Sequence, residues 1–161
     1  TVMKNAWLQF FALAFFVFLC FGVAALGSRY TASSVGTWYS TLQRPAWNPP
    51  SWVFGPVWSF LYLAMAVAAW LVWRQKGLAG IALSLFFVQL FFNFLWSFLF
   101  FGLQNPGLAM LDIAVLWLAI IATMVAFWRV TPYAGWLFVP YLLWVSYAAT
   151  LNFAIWRMNP Q

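Results

Sequence analysis

Long apolar runs separated by short polar breaks dominate the chain, and the runs are too long for strands. Residues 8–26 hold one polar side chain, Gln9, at their edge. About 20 apolar residues carry a helix across roughly 30 Å of hydrocarbon. The pattern predicts five such spans, at about 6–26, 53–73, 79–101, 107–128 and 134–156. Arg74-Gln75-Lys76-Gly77 closes the second span with cations and a glycine, as a helix C-terminus prefers. Gly102 to Pro106 divides the third span from the fourth, and Thr131-Pro132 the fourth from the fifth. No run alternates apolar with polar as a barrel strand facing a wet lumen would. The expected fold is therefore all-α: a single domain over 1–161, an integral membrane bundle of five transmembrane helices. Three short connections predict that sequential helices are antiparallel neighbours.

The first connection, about 27–52, is far longer than a helix–helix turn. It holds Trp38, Tyr39, Trp47 and Trp52 with Pro45, Pro49 and Pro50. Stiff proline backbone and bulky rings predict an ordered lid over one end of the bundle. The bland alternative is that the rings only anchor the loop at headgroup level. Proline also falls inside spans. Pro140 removes a backbone donor, a break that survives in a membrane only against protein, side chains or water, so it is expected to face the bundle. Gly80 and Ser84 form a small-xxx-small pair that allows close helix approach, which makes the third span a candidate homodimer face.

Composition sharpens this picture. Of 161 residues, 67% are hydrophobic and 5% charged, against roughly 25% charged in a soluble domain. Too little polar surface exists to face water. Seven Lys or Arg against one acid give +6. The basic residues stand singly near span ends, so they read as interfacial, and no nucleic-acid partner is expected. An odd span count puts the termini on opposite sides of the membrane. Lys4, Arg74, Lys76 and Arg129 then face Arg29, Arg44 and Arg157, a faint preference for the N-terminus inside. Lys4 and Ala25-Leu26-Gly27 raise the idea of a cleaved signal, but the run exceeds an h-region of roughly 7–15 residues. Cys20 has no internal partner.

The catalytic inventory is nearly empty. Without histidine there is no Ser–His arrangement and no histidine metal site, and no metal site is expected. One carboxylate makes no acid–base pair, and no phosphate-cradling glycine loop is present. A conventional enzyme is not expected. What remains is shape, ring faces and hydrogen bonds. Gln89 and Asn93 share a face of the third span, and Trp96 continues it. Polar side chains in a span usually point inward, either into a pocket or into interhelical hydrogen bonds. Trp144, Ala148 and Asn152 share a face of the fifth span, with a small residue between ring and amide that leaves room for a flat ligand. Trp58 and Tyr62 share a face of the second. Three such stripes beneath an aromatic lid predict a pocket. Asp112, about one turn into the fourth span, suits the helix dipole and amide capping, with a proton or ion site as the alternative.

These motifs carry a resemblance. Trp38-Tyr39-x-x-Leu42-x-x-Pro45-x-Trp47-x-Pro49-Pro50-x-Trp52-x-Phe54-x-x-Val57-Trp58-x-x-Leu61-Tyr62 resembles the signature of the translocator protein family. That family is also known as tryptophan-rich sensory protein, TspO, or peripheral-type benzodiazepine receptor. Gln89-x-x-x-Asn93-x-x-Trp96 is similar to its third helix, and Pro140-Tyr141-x-x-Trp144-x-x-x-Ala148-x-x-x-Asn152 to its fifth. The resemblance covers nearly the whole chain. It implies a five-helix bundle, often dimeric, that binds tetrapyrroles such as protoporphyrin IX and synthetic benzodiazepine-type or isoquinoline carboxamide ligands. By the resemblance, the pocket includes Tyr39, Trp47, Pro49, Trp58, Asn93, Trp144 and Ala148, and Trp58 and Trp144 match the tryptophans tied to light-dependent porphyrin breakdown.

The family's proposed sterol motif is unmet, because no basic residue follows Tyr147 before Arg157. The reversed motif of Arg129, Tyr133 and Leu137 is only a weak pattern. Sterol is therefore not an expected ligand. Arg29 and Arg44 flank the lid and could pair with porphyrin carboxylates. Metal-free porphyrin fits a histidine-free chain better than tightly ligated haem. The expected function is a receptor- or sensor-like protein for flat hydrophobic ligands, needing no cofactor, with lipid as surroundings and a bacterial cell envelope as location. The alternatives are a tetrapyrrole or lipid transporter, a light-dependent porphyrin-degrading protein, or a structural partner of another membrane protein.

Overall fold

The computed structural model describes residues 2–160. Among them, the elements are α1 (Ala6–Ser34), a short α2 (Trp38–Thr41), a 3-10 turn (Ser51–Val53), α3 (Phe54–Lys76), α4 (Ile81–Ser97) with a π turn (Phe98–Gly102), α5 (Pro106–Val130) and α6 (Pro132–Met158). No strand occurs. Five helices are long and apolar enough to cross a bilayer, as the sequence predicts. Asn5 caps α1 by accepting from the Trp7 and Leu8 amides. Asn105 caps α5 by accepting from Leu108, with Pro106 pre-set in its first turn.

Several expectations change. The first helix does not stop near residue 26. It continues two turns to Ser34 and shortens the loop that follows. Gly27, Thr31 and Ser34 lie along one side of that extension. Ser34 Oγ donates to the Phe101 carbonyl at 2.6 Å, and a Cβ on Gly27 would meet Ser97 Oγ at 3.2 Å. The extension turns small and polar residues to the protein beside the Tyr30 ring, which packs on Phe94 and Phe98, and that mixture is why hydropathy does not register it. Gly80 is the residue before α4, at φ +117°, so the small-residue pair does not form a groove along a helix. Ser84 Oγ donates to the Gly80 carbonyl instead. Pro140 is only half-buried, beside the fully buried Tyr141, so it sits at the margin of the bundle.

Around the bundle the order is α1, α3, α6, α5, α4, closing back on α1. Sequential neighbours therefore fail once: α3 and α4 are joined by a short link yet make little contact, because α1 lies between them. Gly77 and Gly80, both at positive φ, let the link swing past α1. The half of the bundle near that link is packed solid by Phe16, Phe86, Phe127 and Phe138, whose rings meet at 5.1–6.4 Å. Fully buried Ala66, Ala68 and Ala69 let neighbouring helices close on α3. The opposite half, under the first loop, is where the core opens.

Candidate functional site

A cavity of about 480 Å³ occupies the loop-side half of the bundle. All five long helices and the lid line it. Of the residues singled out from the sequence, Tyr39, Trp58, Tyr62, Asn93, Trp96, Trp144, Ala148 and Asn152 face this space. Trp47, Pro49 and Gln89 do not. Pro49 is half-buried in the lid backbone beside Asn48, and the placement of the other two has a physical reason. Gln89 is fully buried one turn deeper than Asn93, beyond the cavity floor. Trp47 is 48% exposed on the outer side of the lid, and Asn48 lines the cavity in its place. Trp47 still connects to the wall indirectly. Its ring lies 5.9 Å from Tyr147, which lies 5.7 Å from Trp144.

The floor is a chain of hydrogen bonds. Tyr62 Oη donates to Asn93 Oδ1 at 2.5 Å, and Asn93 Nδ2 donates to Tyr141 Oη at 2.7 Å. Tyr141 Oη donates to Gln89 Oε1 at 2.7 Å, and Gln89 Nε2 reaches Met65 Sδ at 3.7 Å. Both readings of the Gln89 and Asn93 stripe thus hold in part: Gln89 serves interhelical bonding, while Asn93 serves bonding and faces the cavity. On the α4–α6 side, Trp96 Nε1 donates to Asn152 Oδ1 at 2.8 Å, and Asn152 Nδ2 donates to the Pro106 carbonyl at 2.9 Å. These two lining residues are committed to structure. Trp144 is not: its indole N–H is buried and has no acceptor. Burying an unpaired donor is unfavourable; protein atoms cover this nitrogen, while the Trp144 ring lines the cavity. Trp58 meets Trp144 edge-on, with ring centroids 6.5 Å apart at 90°.

The first loop divides between lid and anchor. Tyr39 is buried against Phe100 and Phe101 and donates to Asn48 Oδ1 at 3.2 Å, roofing the cavity. Trp52, 75% exposed, suits an interfacial anchor. Two clips pin the loop to α6. Tyr147 Oη donates to the Trp47 carbonyl. Gln43 N donates to Asn159 Oδ1 at 2.9 Å while Asn159 Nδ2 donates back to the Gln43 carbonyl at 2.8 Å. Asn159→Ala removes the second clip without touching the cavity. Ligand dissociation in stopped flow should quicken by roughly three- to tenfold, about 1 kcal/mol of lid stability. An unchanged rate would mean that the loop is not what retains the ligand.

No Lys, Arg or Asp lines the cavity. Arg44 lies over the Tyr39 ring at 5.0 Å, at the roof's edge. Arg29 is exposed on the α1 extension and outside the lining. The cavity's open side is the seam between α1 and α3, where the lining residues Phe21, Ala25, Ser28, Gly55 and Ser59 are exposed.

Sequence reasoning missed the whole α1 contribution, and Ile113 and Leu116 of α5. Small and polar residues at helical spacing, Ala24, Gly27, Ser28 and Thr31, could have signalled the first. Nothing distinguishes the second from lipid-facing Ile and Leu.

The amino-acid sequence matches known proteins. Residues 16–157 fit the model of the TspO/MBR family. The chain belongs to that family. A tryptophan-rich protein TspO of Chlorobaculum tepidum is 43% identical over 156 residues, covering 94% of this chain and 98% of that protein. Protein CrtK of Rhodobacter capsulatus is 41% identical, covering 95% and 94%. The human translocator protein is 41% identical over 138 residues, covering 83% and 82%. The chain is thus a TspO/MBR integral, multi-pass membrane protein of translocator or sensory type.

Proposed function

We propose that this TspO/MBR chain is a receptor-like binder of flat aromatic ligands, with tetrapyrroles such as protoporphyrin IX as the natural class. The observation that carries the reading is the lidded, mainly apolar cavity walled by the Trp58 and Trp144 rings. Its volume lies in the range of small-molecule sites, and its lining is mainly apolar with few polar groups. Trp58 and Trp144 offer ring faces and edges. Arg44 is the one basic residue found against the roof, where a carboxylate arm leaving the apolar cavity would need a cation. A hydrophobic ligand dissolved in lipid would enter sideways through the seam of α1 and α3. Isoquinoline carboxamide and benzodiazepine-type compounds, also flat and apolar, would compete for the same space. We place the protein in a bacterial cell envelope, on the support of bacterial relatives that it matches over nearly its full length.

The test is a titration of protoporphyrin IX in the dark, read by tryptophan fluorescence and porphyrin absorbance. Saturable binding is expected for the native chain, and a loss of about tenfold or more in affinity for Trp58→Phe/Trp144→Phe, as for well-packed aromatic anchors. Equal affinity in the double variant would sink the site assignment. Illumination of the bound complex then separates chemistry from damage. A defined product with intact protein tryptophans would favour the degrading alternative over plain binding.

A further inference from the structure

Asp112 is the chain's only acidic side chain. It does not cap α5, since Asn105 holds that position. It is 5% exposed, and both carboxyl oxygens are buried without a hydrogen-bond partner. An ionised carboxylate left bare inside a membrane span is among the least favourable groups a bundle can hold. No cation is placed to relieve it: the seven basic residues stand at 4, 29, 44, 74, 76, 129 and 157, at helix ends or in loops. The helices packed on α5 supply few titratable groups. From α6, Tyr141 lies within electrostatic reach of Asp112, and Tyr62 of α3 and Cys20 of α1 lie within reach of Tyr141. The α4 helix and its π turn carry none.

The position connects this carboxyl to the cavity in two ways. Leu116 follows Asp112 by one turn on the same face of α5, and it lines the cavity with Ile113. Tyr141 Oη is the middle of the hydrogen-bonded floor that ends at Asn93 and Tyr62. We propose that Asp112 is a proton-binding site linked to the ligand cavity. With its proton bound, the carboxyl is neutral and α5 packs as described. Loss of the proton to bulk water leaves a bare anion, which must draw water or a cation inward and displace the wall at Ile113 and Leu116. Flat ligands then bind more weakly, and by linkage a bound ligand helps Asp112 keep its proton. The coupling rests on the ligand-binding reading above, whereas the bound proton does not.

The experiment uses the full chain in lipid nanodiscs with aspartate carrying ¹³C at its side-chain carboxyl. One Asp and no Glu in the chain mean that the labelled band reports Asp112 without any substitution. Isotope-edited infrared spectra should show a protonated carboxyl at neutral pH that converts to carboxylate as the pH rises. Binding of perylene, a flat hydrocarbon with no ionisable group, is measured over the same pH range against empty nanodiscs. Its affinity should fall by about fivefold or more through that conversion, and should stay level in Asp112→Asn. A carboxylate band already present at neutral pH overturns the proton site. A titrating band with level perylene affinity overturns the coupling. Perylene that binds at no pH overturns the ligand-binding reading and the coupling together, while the band still decides the proton.

Discussion

Tyr141→Phe is expected to lower the unfolding midpoint of the detergent-solubilised protein by several degrees, for the loss of one oxygen atom. The hydroxyl is fully buried, accepts from Asn93 Nδ2 and donates to Gln89 Oε1. Its removal leaves a donor and an acceptor unpaired, on side chains 4% and 0% exposed. Each orphaned group costs about 1–3 kcal/mol when nothing replaces the partner. Interhelical bonds in membranes average only about 0.6 kcal/mol, because broken partners often find others. Here Phe16, Phe86, Phe127 and Phe138 fill the space below and offer no acceptor, so the net effect should lie near 2 kcal/mol. Tyr62→Phe is the comparison. It removes an end of the chain, and the Asn93 oxygen it frees can turn to the cavity. It should cost clearly less, and the double variant should be less destabilised than the sum of the two. Heating curves read by tryptophan fluorescence decide this. A Tyr141→Phe midpoint equal to that of Tyr62→Phe would show that the floor is not a connected unit.

The five spans were legible because each buries or offers to lipid a run long enough to cross the bilayer. Hydropathy reports surroundings rather than backbone bonding, so it lost α1 at Gly27, where the helix turns a small, polar face to Ser97 and Phe101. It also carried no sign that α1 would separate α3 from α4. That depends on packing and on the positive φ of Gly77 and Gly80. The site was legible wherever a helix mixes rings with amides: Trp58 and Tyr62, Asn93 and Trp96, Trp144 and Asn152. Helix periodicity set their face correctly but could not set their depth. Gln89 shares Asn93's face and still falls below the floor, because the cavity ends where Tyr62, Asn93 and Tyr141 join. In the lid, proline fixed the backbone without fixing which ring turns inward. Tyr39 does so, while Trp47 and Trp52 stay largely outside. Asp112's nearness to the start of the span suggests a helix cap. Asn105 shows that position alone was insufficient, because the cap must precede the first turn.

Ala148→Trp should abolish binding of protoporphyrin IX, lowering affinity by about 100-fold or more, with the unfolding midpoint unchanged or raised. Ala148 is a wall residue one turn from Trp144 and one turn from Asn152 on the same face of α6. A methyl there leaves the space above it open, and an indole would occupy much of a cavity of about 480 Å³. Filling apolar space in this way commonly leaves a fold as stable or more so, which separates the variant from those that harm the bundle. Gly27 lines the cavity too but is a poorer choice. A Cβ there meets Ser97 Cβ at 3.4 Å as well as its hydroxyl, so lost binding would be confounded with a displaced α1. Ala148→Val should fall between, since it adds little volume beside the Trp144 ring. Porphyrin absorbance is the right readout, because the new indole adds its own fluorescence. Native affinity in Ala148→Trp would place the ligand outside the cavity, on the exposed seam of α1 and α3. A midpoint lowered by several degrees would mean instead that this wall is packed, and that the space beneath Tyr39 is not open to a ligand.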